Sequence, residues 1–259
     1  MCIRDSTSSL YTYFQLNYIP EPHSIIQDIK KLNPGHYLMI DSENRVQKIP
    51  FYQLNYPVQE GNYSKLNYGE AQSEFLKLLD ASVENRMVSD VPLGTFLSGG
   101  IDSSLITALA AQKVNKLSTF SIGFKDEPLF DETKYALLVA KKYKTDHHVF
   151  SLSNTDLLAS LNETLDYIDE PFADSSALAV NALSRNTSNF VKVALSGDGA
   201  DELFAGYNKH MGEFLIRQSG LKQNFIKGLK PVWSMMPKSR NSKLGNLIRK
   251  FNKFSEGSS

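Results

Sequence analysis

Apolar positions recur at helical spacing from residue 69: Ala71, Phe75, Leu78, Leu79, Ser82 and Val83 fall on one face and predict a helix starting near Gly69. From Pro92 the pattern alternates. Leu93–Leu97, Leu117–Phe124, His147–Leu152 and Val191–Leu195 read as strands. Asp102–Lys113, Glu132–Tyr143, Asn154–Ile168, Ser175–Arg185 and Ala200–Arg217 read as helices. Strands alternating with helices predict an α/β chain with a doubly wound, mostly parallel sheet covered on both faces. Upstream, Leu10–Phe51 is apolar and aromatic, punctuated by Pro20, Pro22 and Pro34-Gly35. Lys31–Ile40 reads as a turn and a strand, Asp41–Asn44 as a hairpin turn, and Arg45–Tyr52 as the returning strand. This is too little chain for an independent domain. Residues 53–68, with Pro57, Gly61, Asn62 and Ser64, read as a linker.

Composition narrows the class. The chain has 259 residues, 41% hydrophobic and 22% charged, which supports a sizeable core and excludes a wholly disordered chain. At about 100–200 residues per domain, this length suggests one domain and a part, or two small ones. No apolar run reaches the roughly 18 residues of a membrane-spanning helix, so no membrane partner is expected. No basic stretch precedes an apolar one at the start, which argues against a secretory signal. The single cysteine, Cys2, excludes an internal disulfide and a zinc site built on several thiolates. A cytoplasmic location follows as the expectation. Residues 221–259 hold nine Lys/Arg against one acid, Glu256, a local charge of +8 in a chain of net zero. A basic tail can contact nucleic acid. Without interleaved stacking aromatics, a solvated face or a segment parted from an acidic partner surface is preferred, and no nucleic-acid partner is expected.

Two segments carry chemistry. Phe96-Leu-Ser-Gly-Gly-Ile-Asp-Ser-Ser104 follows a strand and opens a helix. Its glycines allow close backbone approach and positive φ. The free N–H groups of the helix start favour an anion. Ser98, Ser103 and Ser104 add hydroxyls. Asp102 beside an anion makes sense when a cation such as Mg²⁺ lies between carboxylate and phosphates. The bland alternative is an N-capped helix after a glycine turn. No lysine follows the glycines, which separates this string from the Gly-Lys-Ser/Thr loop. The second segment, Leu195-Ser-Gly-Asp-Gly-Ala-Asp-Glu-Leu-Phe-Ala-Gly-Tyr207, also follows a strand. Ligands of open α/β sheets bind at that edge. Asp201 is a candidate second Mg²⁺ ligand, and Asp198 a candidate for positioning an acceptor or assisting proton transfer. Ordinary capping with acids in the first turn is again the alternative.

The first string resembles the pyrophosphate-binding loop of the ATP pyrophosphatases, which implies cleavage between the α and β phosphates. Val83–Ser104, Phe120-Ser-Ile-Gly-Phe124, Asp169-Glu-Pro-Phe-Ala-Asp-Ser-Ser-Ala177 and Leu195–Tyr207 together resemble the synthetase domain of glutamine-hydrolysing asparagine synthetases, in order and spacing. The resemblance covers most of residues 69–210. Residues 10–52, with Ile19-Pro20 and Lys31-Leu-Asn-Pro-Gly35, resemble the last strands of that family's glutaminase domain. It implies an ATP pyrophosphatase fold, like that of the adenine nucleotide alpha hydrolases. It implies adenylylation of the aspartate side chain by ATP–Mg²⁺, release of pyrophosphate, and attack by glutamine-derived ammonia. Carried over by motif, Ser98, Gly99, Gly100, Asp102, Ser103 and Ser104 hold pyrophosphate, and Leu97, Ile122, Ser196 and Gly197 contact the nucleotide. Asp102 and Asp201 bind Mg²⁺. Asp198 matches an acidic position, often Glu, that helps form the adenylate.

The chain departs from the family at both ends. Ile3-Arg4 follows Cys2 where the family has glycine, and the stretch before Ser98 is too short for a glutaminase domain, so Cys2 is rejected as its nucleophile. The family's later segment with a catalytic lysine and arginine is absent. The chain is therefore expected to be a fragment: residues 1–6 an artefact or frayed end, 7–55 a glutaminase remnant, 56–68 a linker, and 69–259 a truncated synthetase domain. Leu10, Tyr11, Phe14 and Tyr18 should then be partly exposed. The other readings are a relative with another acceptor, closing a β-lactam ring, cyclising peptides or amidating sugars, and a nucleotide-binding piece without turnover. A homodimer of the full-length protein stays open. His147 and His148, adjacent on a strand, should point to opposite faces and not share a metal. Asp174 is expected to cap a helix, and Trp233 to anchor packing in the tail.

Overall fold

The computed structural model describes residues 4–54, 65–217 and isolated positions at 229, 231, 235, 245, 247–249 and 252. Residues 1–3, most of the expected linker and most of the basic tail, Trp233 included, lie outside the described residues. Two compact units divide the chain, Met1–Ser196 and Gly197–Ser259.

In the first unit α1 (Thr7–Leu16) opens on Ser6, whose hydroxyl accepts from the Ser9 N–H at 3.3 Å. No helix was expected here. Tyr11 and Phe14 on it are exposed, at 69% and 71%, Tyr18 is half exposed, and Leu10 is half-buried. β1 (His36–Ile40) and β2 (Val46–Pro50) form the expected antiparallel hairpin, with Ile40 opposite Val46. Asp41 closes its turn by accepting from the N–H groups of Glu43 and Arg45 at 2.9 and 3.0 Å. Those bonds, the one from the Arg45 backbone foremost, hold the Asp41 carboxyl below its ordinary pKa. Most hairpin side chains are exposed. The segment is tied to the rest of the unit by Glu170, whose carboxylate accepts from Ile25 N–H at 3.0 Å, and by Ala173 N–H donating to Asn17 O at 2.9 Å.

α2 (Tyr68–Arg86) begins with a reciprocal cap: Asn67 accepts from Glu70 N–H, and Glu70 accepts from Asn67 N–H. Its inner face is narrower than expected. Phe75, Leu79, Ser82 and Val83 turn inward, whereas Ala71 is exposed and Leu78 is 62% exposed. The sheet comes next: β3 (Leu93–Phe96), β4 (Ser118–Phe124), β5 (Asp146–Leu152) and β6 (Val193–Leu195), in the order β5-β4-β3-β6, all parallel. The chain steps outward from β3 to β5 and then returns to the far side of β3. Right-handed crossovers therefore put α3 (Ile101–Ala111) and α4 (Thr133–Tyr143) on one face and α5 (Asn154–Ala159), α6 (Leu161–Asp166) and α7 (Ser176–Thr187) on the other. This is the expected doubly wound, mostly parallel arrangement, and the strand order reverses between β3 and β6.

Alternation assigns the strand residues to these faces. Under α3 and α4 lie Thr95, whose hydroxyl pairs with Thr107 of α3 at 2.9 Å, and Leu97, packed on Ala136, Val139 and Ala140 of α4. On the opposite face Phe120 stacks on His148 and Phe150, and Phe190 closes against His148 at 4.3 Å between centroids. His147 thus faces away from His148, as expected. Val83, Ala110 and Leu117 join α2 and α3 to the sheet. Asp174 accepts from Ser176 N–H at 2.9 Å, one residue ahead of Ser175, which holds the N-cap position of α7 in place of the expected Asp174.

Two expected helices are broken. Asn154–Ile168 divides at Ser160, whose φ −83°, ψ −2° leaves the regular helix and whose hydroxyl takes the Leu157 carbonyl at 2.8 Å. In the second unit the helix expected over Ala200–Arg217 divides into α8 (Ala200–Phe204) and α9 (Asn208–Arg217), because Ala205 adopts the left-handed φ 55°. Among the described residues no helix is long and apolar enough to cross a membrane.

Candidate functional site

The turn after β3 is held from below and closed on itself. Leu97 N–H makes the last ladder bond, to Phe120 O at 2.8 Å, while the Leu97 carbonyl accepts from the Ser121 hydroxyl. The Leu97 side chain is buried against α4, so it offers a ligand no surface. Gly99 is required twice. Its φ of +88° belongs to the left-handed region, and a Cβ there would lie 2.5 Å from Ala136 N and 2.6 Å from Tyr135 Cβ. Gly100 caps α3 with extended backbone, and among the described residues no side chain bonds the N–H groups of the first turn. The hydroxyls of Ser98 and Ser103 lie 2.9 Å apart, and Gly100 N–H donates to Ser98 Oγ at 3.2 Å. Ser98 N–H donates to Ser103 Oγ at 3.2 Å, and Ser104 N–H to Gly100 O at 3.1 Å. Asp102, in the first turn of α3, is exposed and forms no salt bridge among the described residues. Ile122 is half-buried near the carboxyl end of β4. Near Gly123, Asp131 accepts from Thr133 N–H at 2.9 Å, and Thr133 holds its carboxyl below the ordinary pKa.

The turn after β6 is built from acids. Ser196 is half-buried and directly follows β6, whose Leu195 pairs with Thr95 of β3. Ser196 and the Ser98–Ser104 turn therefore start from the carboxyl ends of neighbouring parallel strands. Gly197, Asp198 and Asp201 belong to the second unit. Gly199 has φ +87°, and among the described residues nothing lies within 4 Å of where a Cβ would sit. Gly206 accepts the Asp201 carboxylate against its backbone, since a Cβ there would overlap Asp201 Oδ1, and its N–H donates to Asp201 O at 3.0 Å. Tyr207 Oη donates to Glu202 Oε1 at 2.6 Å. That bond pushes the Tyr207 hydroxyl up to about 12 and holds the Glu202 carboxyl below its ordinary value. Asp198 is exposed and Asp201 half-buried.

Sequence reasoning assigns no role to Ser121 or Gly206, and reads His147 only as facing away from His148. Strand alternation in Thr119-Phe-Ser121 was the available signal for the first, since it puts two hydroxyls on one face. Among the described residues no three His, Cys, Asp or Glu side chains cluster to hold a metal. The oxygen donors present suit Mg²⁺, which takes one or two carboxylates and completes its shell with water and phosphate oxygens.

A doubly wound parallel sheet, with a glycine-rich turn opening an uncapped helix beside the strand-order reversal, defines the class of open α/β proteins, in which ligands bind at the carboxyl edge of the sheet. Residues 74–257 match the family model described as asparagine synthase, and the chain belongs to that family. A putative glutamine-hydrolyzing asparagine synthetase 2 of Methanocaldococcus jannaschii is 37% identical over 232 residues, 87% of this chain and 42% of that protein. The glutamine-hydrolyzing asparagine synthetase 1 of Bacillus subtilis is 31% identical over 240 residues, 91% of this chain and 36% of that one. The chain thus spans less than half the length of these curated relatives. A solved structure of NMN synthetase from Francisella tularensis overlaps 55% of this chain and 59% of its own at 18% identity, with a TM-score of 0.36.

Proposed function

We propose that the chain carries the ATP-dependent synthetase chemistry of a glutamine-hydrolysing asparagine synthetase. The observation that supports this reading most is the Ser98–Ser104 turn: a glycine pressed onto α4, followed by a helix start that no side chain caps. Such a start favours a phosphate group. In this reading Ser98, Gly99, Gly100, Asp102, Ser103 and Ser104 bind pyrophosphate, with the serine hydroxyls turning outward to donate. Leu97, through its backbone, and Ile122, Ser196 and Gly197 flank the nucleotide. Asp102 and Asp201 supply carboxylates for Mg²⁺, which neutralises phosphate charge when bound. Asp198 positions the acceptor or moves its proton. An aspartate side-chain oxygen attacks the α phosphorus of ATP, forming an O–P bond while the bond to the β phosphate breaks and pyrophosphate leaves. Ammonia then attacks the activated carbonyl carbon, AMP departs, and the nitrogen loses a proton. Residues 7–55 represent the end of the glutaminase part, a reading supported by the Ile19-Pro20 and Lys31–Gly35 resemblance.

Titrating the chain with ATP–Mg²⁺ and assaying aspartate-dependent pyrophosphate release tests the proposal. Asp102→Asn should weaken ATP–Mg²⁺ binding without changing the melting temperature, because the residue sits on an exposed helix start. Equal affinity in the variant removes Asp102 from the site. Binding without aspartate-dependent release would instead favour a nucleotide-binding piece without turnover, and release with a different acid would favour another acceptor.

A further inference from the structure

Beneath the Ser98–Ser104 turn the sheet carries a row of polar side chains that no step above uses. Thr119 is fully buried and Ser121 nearly so, on the β4 face turned toward α3 and α4. His147 of β5 lies between them, with Nδ1 at 2.9 Å from Thr119 Oγ1 and Nε2 at 3.4 Å from Ser121 Oγ. Thr119 Oγ1 also meets Thr145 Oγ1 at 2.8 Å. Ser121 donates to the Leu97 carbonyl, the last group of the chain before the turn.

The directions of these bonds follow from counting protons. A carbonyl only accepts, so the single Ser121 proton goes to Leu97 O. Ser121 Oγ can then only accept from His147, and His147 must carry a proton on Nε2. Burial, aided by the neighbouring His148 ring, holds His147 below its ordinary pKa and favours the neutral ring. A neutral ring protonated on Nε2 has a bare Nδ1. Thr119 must therefore donate to it, and Thr145 must donate to Thr119. The peptide that receives the last proton of this chain is Leu97–Ser98. Its other end, the Ser98 N–H, donates to Ser103 Oγ inside the turn.

This places a side chain where the ladder stops. Leu97 N–H still bonds Phe120 O, and beyond it the Ser121 hydroxyl takes the Leu97 carbonyl and fixes the plane of the peptide that leads into Gly99. We propose that Ser121, oriented by neutral His147 protonated on Nε2, is a positioning residue for the Ser98–Ser104 turn. It presets the turn's backbone for an anionic ligand of the phosphate class. The ligand half rests on the reading of that turn as the nucleotide-binding loop, whereas the geometric half does not.

Both halves are tested on the full chain with Ser121→Ala, the rescue variant Ser121→Thr, and ATP–Mg²⁺ as probe. The expected result is a Ser98 amide resonance that shifts in Ser121→Ala and returns in Ser121→Thr. ATP–Mg²⁺ affinity should fall about five- to tenfold in the first variant, the usual weight of one hydrogen bond, and recover in the second. In the unsubstituted chain, ¹⁵N spectra should show His147 neutral with its proton on Nε2. A ring protonated on Nδ1, or a Ser98 amide and an affinity both unmoved by Ser121→Ala, overturns the proposal. An unfolded Ser121→Ala leaves the His147 tautomer to decide. Should the unsubstituted chain bind no ATP–Mg²⁺, the nucleotide reading fails by itself, and the Ser98 and His147 resonances still judge the geometry.

Discussion

Gly99 and Gly199 have nearly the same dihedral, φ +88° and +87°, yet their surroundings differ. The first is pressed between its own turn and the backbone of α4, whereas no described residue occupies the place where a side chain of the second would go. The turn at Gly99 is seated on the sheet, through Ser121 and the Leu97 carbonyl, and closed by serine hydroxyls. The turn at Gly199 is shaped from its far end, where Gly206 backs onto Asp201 and Tyr207 holds Glu202. Both supply a left-handed glycine between strand and helix. One fixes its shape by packing, the other by a local set of charged and polar side chains.

The largest expected contrast comes from adding one methyl group to each turn. Gly99→Ala should cost roughly 2–4 kcal/mol, from the dihedral and the overlap together. Gly199→Ala should cost about 1–2 kcal/mol, from the dihedral alone. Urea denaturation of the two variants measures both, and equal costs would erase the distinction. A smaller effect concerns the support under the first turn. The folded-state pKa of His147 is lowered, so between that value and the unfolded value near 6.5 the folded chain binds fewer protons than the unfolded one. Stability should therefore drop as pH falls below about 6.5, and His147→Gln should flatten that slope. Asp131 and Asp174, whose carboxyl pKa values are lowered by bonds to Thr133 and Ser176, act in a separate window below about 4. A slope that His147→Gln leaves unchanged would assign it to other groups. The smallest effect lies in the second turn. Tyr207 should ionise near 12 and move back toward 10.0 in Glu202→Gln, read by ultraviolet absorbance in an alkaline titration. The folded chain holds that proton longer than the unfolded one, so this turn should lose stability as pH rises from about 10 to 12.

The two turns also differ in how well the sequence announced them. Periodicity located all four parallel strands, and Ser98-Gly99-Gly100 declared the first turn because both its requirements, positive φ and close approach, select glycine. The second turn was declared only in part. The break at Ala205 carries no residue signal, since alanine is a strong helix former. Its left-handed φ goes with the bond that closes α8, from Gly206 N–H to Asp201 O. The split at Ser160 has the same character: one serine hydroxyl competing for a carbonyl is invisible to a pattern of apolar positions. Leu78 misled in the other direction. It sits at helical spacing with the inner residues, but only tertiary packing decides how wide the buried stripe is. α1 (Thr7–Leu16) has no counterpart in the sequence reading, which takes Leu10–Phe51 only as an apolar, proline-punctuated stretch and assigns turn and strand from Lys31 on.

The bond from Ile25 N–H to the Glu170 carboxylate joins positions 145 residues apart. Closing so long a loop from an open chain is entropically costly and slow, and parallel strand pairing has to bring distant segments together as well. Once β6 has also paired with β3, the crossover from β5 to β6 that carries Asp169–Ala177 is held at both ends, and the residues before β1 have only a short distance left to search. The N-terminal segment is thus expected to dock last in refolding. In pulsed hydrogen exchange, the Ile25 amide should gain protection after those of Phe120 and Val149.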